Sequence, residues 1–132
     1  MEIQFYDIDD SNIPSVVVIY AKYNEKIVMC RHENRKTWEI PGGHIEENES
    51  PDRAAQRELH EETGATKFSL TPICKYSFVA NEKKIYSIMY KGIITQIEKL
   101  PDFEIEEIGF FDELPDNVTY PEIYAEILKK AR

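Results

Sequence analysis

The stretch ESPDRAAQRELHEETG, residues 49–64, sets the architecture of this chain. Ser50 is a good N-cap, and Pro51 suits the first helical position, where its missing N–H costs nothing. Asp52 favours the first turn, and Gly64 is the natural residue on which to end. The spacing predicts one helix from Ser50 to Gly64. Ala55 and Leu59 share a face that can pack on a sheet, while Glu58, Glu61 and Glu62 fall within an arc of ~100°, because i+3 and i+4 neighbours lie one turn apart on the same side. Like charges so spaced cost a few tenths of a kcal/mol per pair, and the negative end of the helix dipole adds roughly 0.3–1 kcal/mol. Only Lys67 lies close beyond the helix to offset them. Such a cluster is either a solvated face or a site for a hard divalent cation, which takes carboxylates, waters and substrate phosphates as its shell.

Working outward, WEIPGGHIEENES at 38–50 runs straight into this helix. Pro41 fixes a turn, and Gly42 and Gly43 allow the backbone to approach an ion or ligand closely. Loop and helix therefore read as one unit, which favours the cation site over the solvated face. Runs rich in Val, Ile, Tyr and Phe at 13–23, 26–32, 68–80 and 83–95 read as strands, and YNEK at 23–26 joins the first two as a hairpin. A second helix follows TYPE, where Thr119 and Glu122 have capping-box spacing and Ile123, Ile127 and Leu128 form an apolar stripe. Strands with one helix in their midst and one at the end predict an α/β sandwich: a mixed sheet covered on both faces, in a single domain spanning 1–132.

Charge narrows the function. Sixteen Lys and Arg stand against 25 Asp and Glu, a formal net charge of -9, so the broad basic face needed by a nucleic-acid polymer is missing. An anionic small molecule would need local cations or bound metal. The start, MEIQFYDIDD, lacks the features of a secretory signal, and VVVIYA at 16–21 is too short to span a membrane. The expectation is a cytoplasmic protein, monomer or homodimer, with no membrane partner. Cys30 and Cys74 lie in expected strands and read as buried reduced thiols without chemistry.

Taken whole, GHIEENESPDRAAQRELHEETGA, residues 43–65, resembles the Nudix box, G-x5-E-x7-R-E-U-x-E-E-x-G-U with U a bulky aliphatic residue. Gly43, Glu49, Arg57, Glu58, Leu59, Glu61, Glu62 and Gly64 fall in register, and Ala65 is smaller than the usual last aliphatic. At ordinary residue usage, seven such identities coincide by chance on the order of 10⁻⁸ per start position. WEIPGGHIE and EIEEIGFFDELP are also similar to MutT-type members of the family.

The resemblance implies an α/β/α sandwich and hydrolysis of a nucleoside diphosphate linked to a group X, with Mg²⁺ or Mn²⁺. It makes Glu58, Glu61 and Glu62 the metal ligands, joined by the Gly42 carbonyl, with Glu58 and Glu61 central to catalysis. Arg57 would hold Glu49 or Glu58 in its ligating pose, the competing reading being a surface pair with Glu61. The base for the attacking water would be Glu104, with Glu106 and Glu107 as neighbours able to compete. Arg31, His32, Arg35 and Lys36, gathered ahead of the metal loop, could grip phosphates or form a solvated edge; Arg31 is similar in place to a phosphate-contacting arginine of the family. Trp38, Tyr76, Phe78 or Tyr90 could stack on a base or belong to the core. Asn117 could read a purine edge or make a turn. The substrate implied is a (deoxy)nucleoside triphosphate such as 8-oxo-dGTP. The alternatives are a nucleotide sugar, ADP-ribose or a dinucleoside polyphosphate, or a nucleotide-sensing domain without activity.

Overall fold

The computed structural model describes residues 2–100 and 105–131. Seven strands form one mixed sheet: β1 (Ile3–Tyr6), β2 (Val16–Tyr23), β3 (Lys26–His32), β4 (Gly42–His44), β5 (Ala65–Ala80), β6 (Lys83–Ile97) and β7 (Ile105–Phe111). Two helices, α1 (Pro51–Thr63) and α2 (Pro121–Ala131), complete a single domain. The order across the sheet is β1-β5-β6-β2-β3-β7, with β4 paired to β2. Strand β2 runs parallel to β6, and the other pairings are antiparallel.

Both tight hairpins use the same two-residue turn. Asn24 and Glu25 join β2 to β3, and Asn81 and Glu82 join β5 to β6, all four with positive φ between 50° and 67°. That geometry matches the right-handed twist of the flanking strands, and Asn tolerates it better than most residues. The second turn sits between the third and fourth expected strands; β1, β4 and β7 were not among the strands expected.

Each face of the sheet carries one helix. On one side Val17, Ile19, Val28, Ile88 and Tyr90 pack with Ala54, Ala55 and Leu59 of α1. On the other, Tyr20, Met29, Tyr76 and Met89 pack with Ile123, Tyr124, Ile127 and Leu128 of α2. The sheet is thus buried on both faces, which is why β2 reads as a nearly unbroken apolar run instead of an alternating one. Tyr76 and Tyr90 are fully buried, so both belong to the core and not to a stacking platform. Helix α1 has the expected caps: the Ser50 hydroxyl accepts from the Arg53 N–H, and Gly64 ends the helix at φ 80°. For α2 the Thr119 hydroxyl instead meets Thr37 and Glu39, at 2.6 and 3.2 Å, tying the helix start to the loop after β3.

The hairpin of β2 and β3 opens to make room. Only Lys22↔Ile27 and Tyr23↔Lys26 pair near the turn; beyond them the chain from Glu39 to His44 is wedged between the two strands. Cys30 and Glu39 exchange backbone hydrogen bonds of 2.9 and 2.8 Å, the Ile19 N–H donates to the Pro41 carbonyl at 2.8 Å, and β4 pairs with Val16–Val18. This wedge delivers the PGG turn to the sheet face beneath α1.

Candidate active site

Gly42 and Gly43 are small because the wedge is tight. A Cβ on Gly42 would lie 2.4 Å from the Val17 carbonyl oxygen, and one on Gly43 would lie 2.6 Å from the Glu58 carboxylate. The loop backbone therefore sits directly against an α1 carboxylate. Glu62, 6% exposed, accepts a 2.8 Å hydrogen bond from the Gly42 N–H, and its other oxygen is 3.2 Å from His32 Nε2. These contacts fix a buried acid at the junction of loop, strand β3 and helix.

Arg57 organises the remainder. Its Nε and Nη2 donate to the two oxygens of Glu49 at 2.7 and 2.9 Å, its Nη1 donates to Glu58 at 2.7 Å and, more distantly, to Glu61 at 3.4 Å, and Nη2 also reaches the His44 carbonyl at 3.0 Å. A planar guanidinium suits such bidentate pairing, which locks the loop before α1 onto its last two turns. Arg57 pulls the Glu49 carboxyl down to about 2. Glu58 goes the other way: burial, then the charge of Glu62, pushes its carboxyl up to about 7 against the pull of Arg57. Removing water from clustered carboxylates is unfavourable unless positive charge is supplied.

The donor set is one that a hard cation fits. Glu58, Glu61 and Glu62 offer carboxylate oxygens from one helix face, Gly43 leaves no room for a side chain against Glu58, and Arg57 is shared among several acids. Gly42 lies on β4 with its N–H already committed to Glu62.

The residues expected to grip substrate line the neighbouring edge. Arg31 donates from Nε and Nη2 to one Glu107 oxygen at 3.2 and 3.0 Å, and from Nη1 to the Arg35 carbonyl at 2.9 Å. Arg35 pairs with Glu39. Trp38 meets Phe111 edge-on at 5.1 Å, and its backbone bridges Val118. Asn117 donates from Nδ2 to the Lys36 carbonyl at 3.2 Å, joining the loop after β3 to the segment before α2. Glu104 lies outside the described residues, while Glu106 and Glu107 are exposed on β7. Glu39 is the residue the sequence reading passed over. Its carboxylate meets Arg35 and Thr119 and lies 3.8 Å from His32 Nε2, and an acid at the second position of WEIPGG, four residues after Arg35, was the available signal.

The family model of the NUDIX domain matches residues 12–125, most of the chain and all of the site just described. The chain belongs to the Nudix family. It is a Nudix hydrolase, and its relatives are named for pyrophosphohydrolase activity. YtkD of Bacillus subtilis, provisionally named an 8-oxo-dGTP diphosphatase, is 34% identical over 130 residues, covering 98% of this chain and 82% of that protein. An RNA pyrophosphohydrolase of a Sulfurovum species is 31% identical over 127 residues, covering 80% of this chain and 81% of its own length. Among solved structures, the Bacillus subtilis pyrophosphohydrolase BsRppH aligns over 98% of this chain and 90% of its own, with 30% identity and a TM-score of 0.78. Nudix hydrolases are generally dependent on a divalent metal, consistent with the carboxylates on α1.

Proposed function

We propose that this Nudix hydrolase acts on a nucleoside 5′-triphosphate, releasing pyrophosphate and leaving the monophosphate, with 8-oxo-dGTP as the leading substrate. The carboxylate face of α1 against the glycine turn carries this reading, because a triphosphate resists attack by water until its charge is neutralised. Mg²⁺, or Mn²⁺, would be held by Glu58, Glu61, Glu62 and the Gly42 carbonyl; it supplies charge neutralisation and a more acidic water. Arg57 positions Glu49 and Glu58 without touching substrate. Arg31 and Arg35 meet phosphate by exchanging their present carboxylate partners for it, Trp38 and Asn117 border the base, and Glu104 takes the proton of the attacking water. The absence of a basic face, at net charge -9, fits a small nucleotide handled in the cytoplasm.

A second reading has its own support. The relatives named RNA pyrophosphohydrolase point to a 5′-triphosphate at an RNA end, which presents the same three phosphates to the same residues. Pyrophosphate release should be measured with Mg²⁺ on 8-oxo-dGTP, dGTP, a 5′-triphosphorylated oligoribonucleotide, ADP-ribose and a nucleotide sugar. The proposal expects pyrophosphate from triphosphates, with the highest kcat/KM on 8-oxo-dGTP. A higher value on the oligoribonucleotide selects the second reading, and preferred turnover of ADP-ribose or a nucleotide sugar, or no turnover at all, overturns both.

A further inference from the structure

Cys30 and His32 occupy alternate positions on β3, so both side chains leave the strand on the face that α1 covers. Val28, two residues earlier, marks that face by packing with Ala54, Ala55 and Leu59. Opposite them stands Glu62. Ligating atoms of Cys30, His32 and Glu62 all lie within 4.8 Å of one another. The 3.2 Å contact between His32 Nε2 and Glu62 Oε2 is an ion pair as it stands, and its length also matches two ligands of one tetrahedral ion, since bonds of about 2.0 Å at the tetrahedral angle put ligand atoms about 3.3 Å apart. Two of the ligands come from one strand and the third from a helix packed on it, so the spacing is set by rigid elements.

We propose that Cys30, His32 and Glu62 form a second metal site, selective for a borderline cation such as Zn²⁺, that shares Glu62 with the hydrolytic site and shuts the enzyme down when filled. Sulfur and imidazole nitrogen suit Zn²⁺ and are poor partners for Mg²⁺, which demands oxygen in near-octahedral array. The three donors leave a fourth tetrahedral position for water, with the Glu39 carboxylate next in line, its Oε1 3.8 Å from His32 Nε2. On binding, the thiol proton and any imidazole proton pass to solvent, and no bond is oxidised or reduced. Glu62 so engaged is lost to the catalytic cation. Zn²⁺ binding does not depend on what the enzyme hydrolyses, whereas inhibition rests on the hydrolase reading above.

Co²⁺ serves as the probe for binding, because a thiolate ligand gives it an intense near-ultraviolet charge-transfer band. Purified full-length protein, reduced and free of other metals, is titrated with Co²⁺ and then with Zn²⁺. The expected result is a one-to-one thiolate band that Zn²⁺ abolishes, that Cys74→Ala retains and that Cys30→Ala lacks. His32→Gln, at the more exposed end of the site, should weaken Co²⁺ binding at least as much as losing a group that merely orients a ligand, roughly 10–100-fold. It decides the matter should Cys30→Ala fold poorly. Absence of the band, an equal band in Cys30→Ala, or unchanged Co²⁺ affinity in His32→Gln would overturn the site. In the activity arm, Zn²⁺ should inhibit Mg²⁺-supported pyrophosphate release, with Cys30→Ala at least about tenfold less sensitive; equal sensitivity with the band present would overturn the inhibitory role alone.

Discussion

The two helices cover opposite faces of one sheet and do it with opposite materials. Helix α2 presents Ile123, Tyr124, Ile127 and Leu128, whose bulk fills its interface; α1 presents Ala54 and Ala55, with Leu59 as its one large contact, and buries Glu62 beside them. Short side chains let the α1 backbone lie close to the sheet. Closeness is what brings Glu62 to the Gly42 N–H and Glu58 to the space a Gly43 side chain would fill. One helix is held for stability, and the other is held at a distance that suits chemistry.

Breaking the chemical half should have the largest effect. Glu61→Gln removes a proposed cation ligand worth several kcal/mol in the transition state, so kcat should fall on the order of 10²–10⁴-fold. Unfolding without metal should occur at the same or a slightly higher temperature, because a like-charge neighbour has been removed from the helix end. Near-wild-type turnover in a steady-state assay would show that Glu61 holds no cation.

The structural half breaks differently. Ile127 and Leu59 are both fully buried, and either truncation to Ala should cost about 2–5 kcal/mol in denaturant unfolding. Their activities should part: Ile127→Ala keeps near-normal kcat in its folded fraction, whereas Leu59→Ala, which loosens α1 over the glycine turn, loses turnover as well. Equal kcat losses would mean that the division of labour between the helices is wrong.

This contrast also explains what the sequence could and could not tell. Helix α1, its caps and the hairpin turn at Asn24 and Glu25 depend on neighbours within a few residues, so they were legible, as was the register of the glutamates. Strands β1 and β4 are short, β7 carries two glutamates in succession, and all three exist because of distant partners, Phe78 for Ile3, Val18 for Gly42 and Met29 for Gly109 among them. The opening of the hairpin by residues 39–44 leaves no local mark at all. Nor does the meeting of His32 with Glu62, thirty positions away, which turned a thiol read as bland into part of a cluster.

A smaller effect tests how Arg57 serves the chemical half. Arg57→Lys keeps the charge but cannot pair with Glu49 and Glu58 at once in the fork geometry. Mg²⁺ affinity, measured by calorimetry, should fall roughly 10–100-fold with little change in the affinity for nucleotide. A loss of nucleotide affinity instead would place Arg57 on the phosphates.

The smallest effect isolates the Glu49 arm of that network through pH. Arg57 holds the folded Glu49 carboxyl at about 2, against an ordinary value of 4.5, so folding favours its ionised form. The folded state then binds fewer protons than the unfolded one between those two values, and stability must fall as pH falls through that window. Well above 4.5 the ionised carboxylate contributes in full; the contribution dwindles toward 2 and is gone only below it. Glu49→Gln cannot titrate, so the stability gap between wild type and this variant should be constant from pH 7 to about 5 and then close toward pH 2. Arg57 and Glu49 both keep part of their side chains in water, 23% and 16% exposed, so salt should shrink the gap as well. If the gap were independent of pH, the loop before α1 would be held by hydrogen bonds that Gln can imitate, and the charge of Glu49 would have no part in keeping the glycine turn against the catalytic helix.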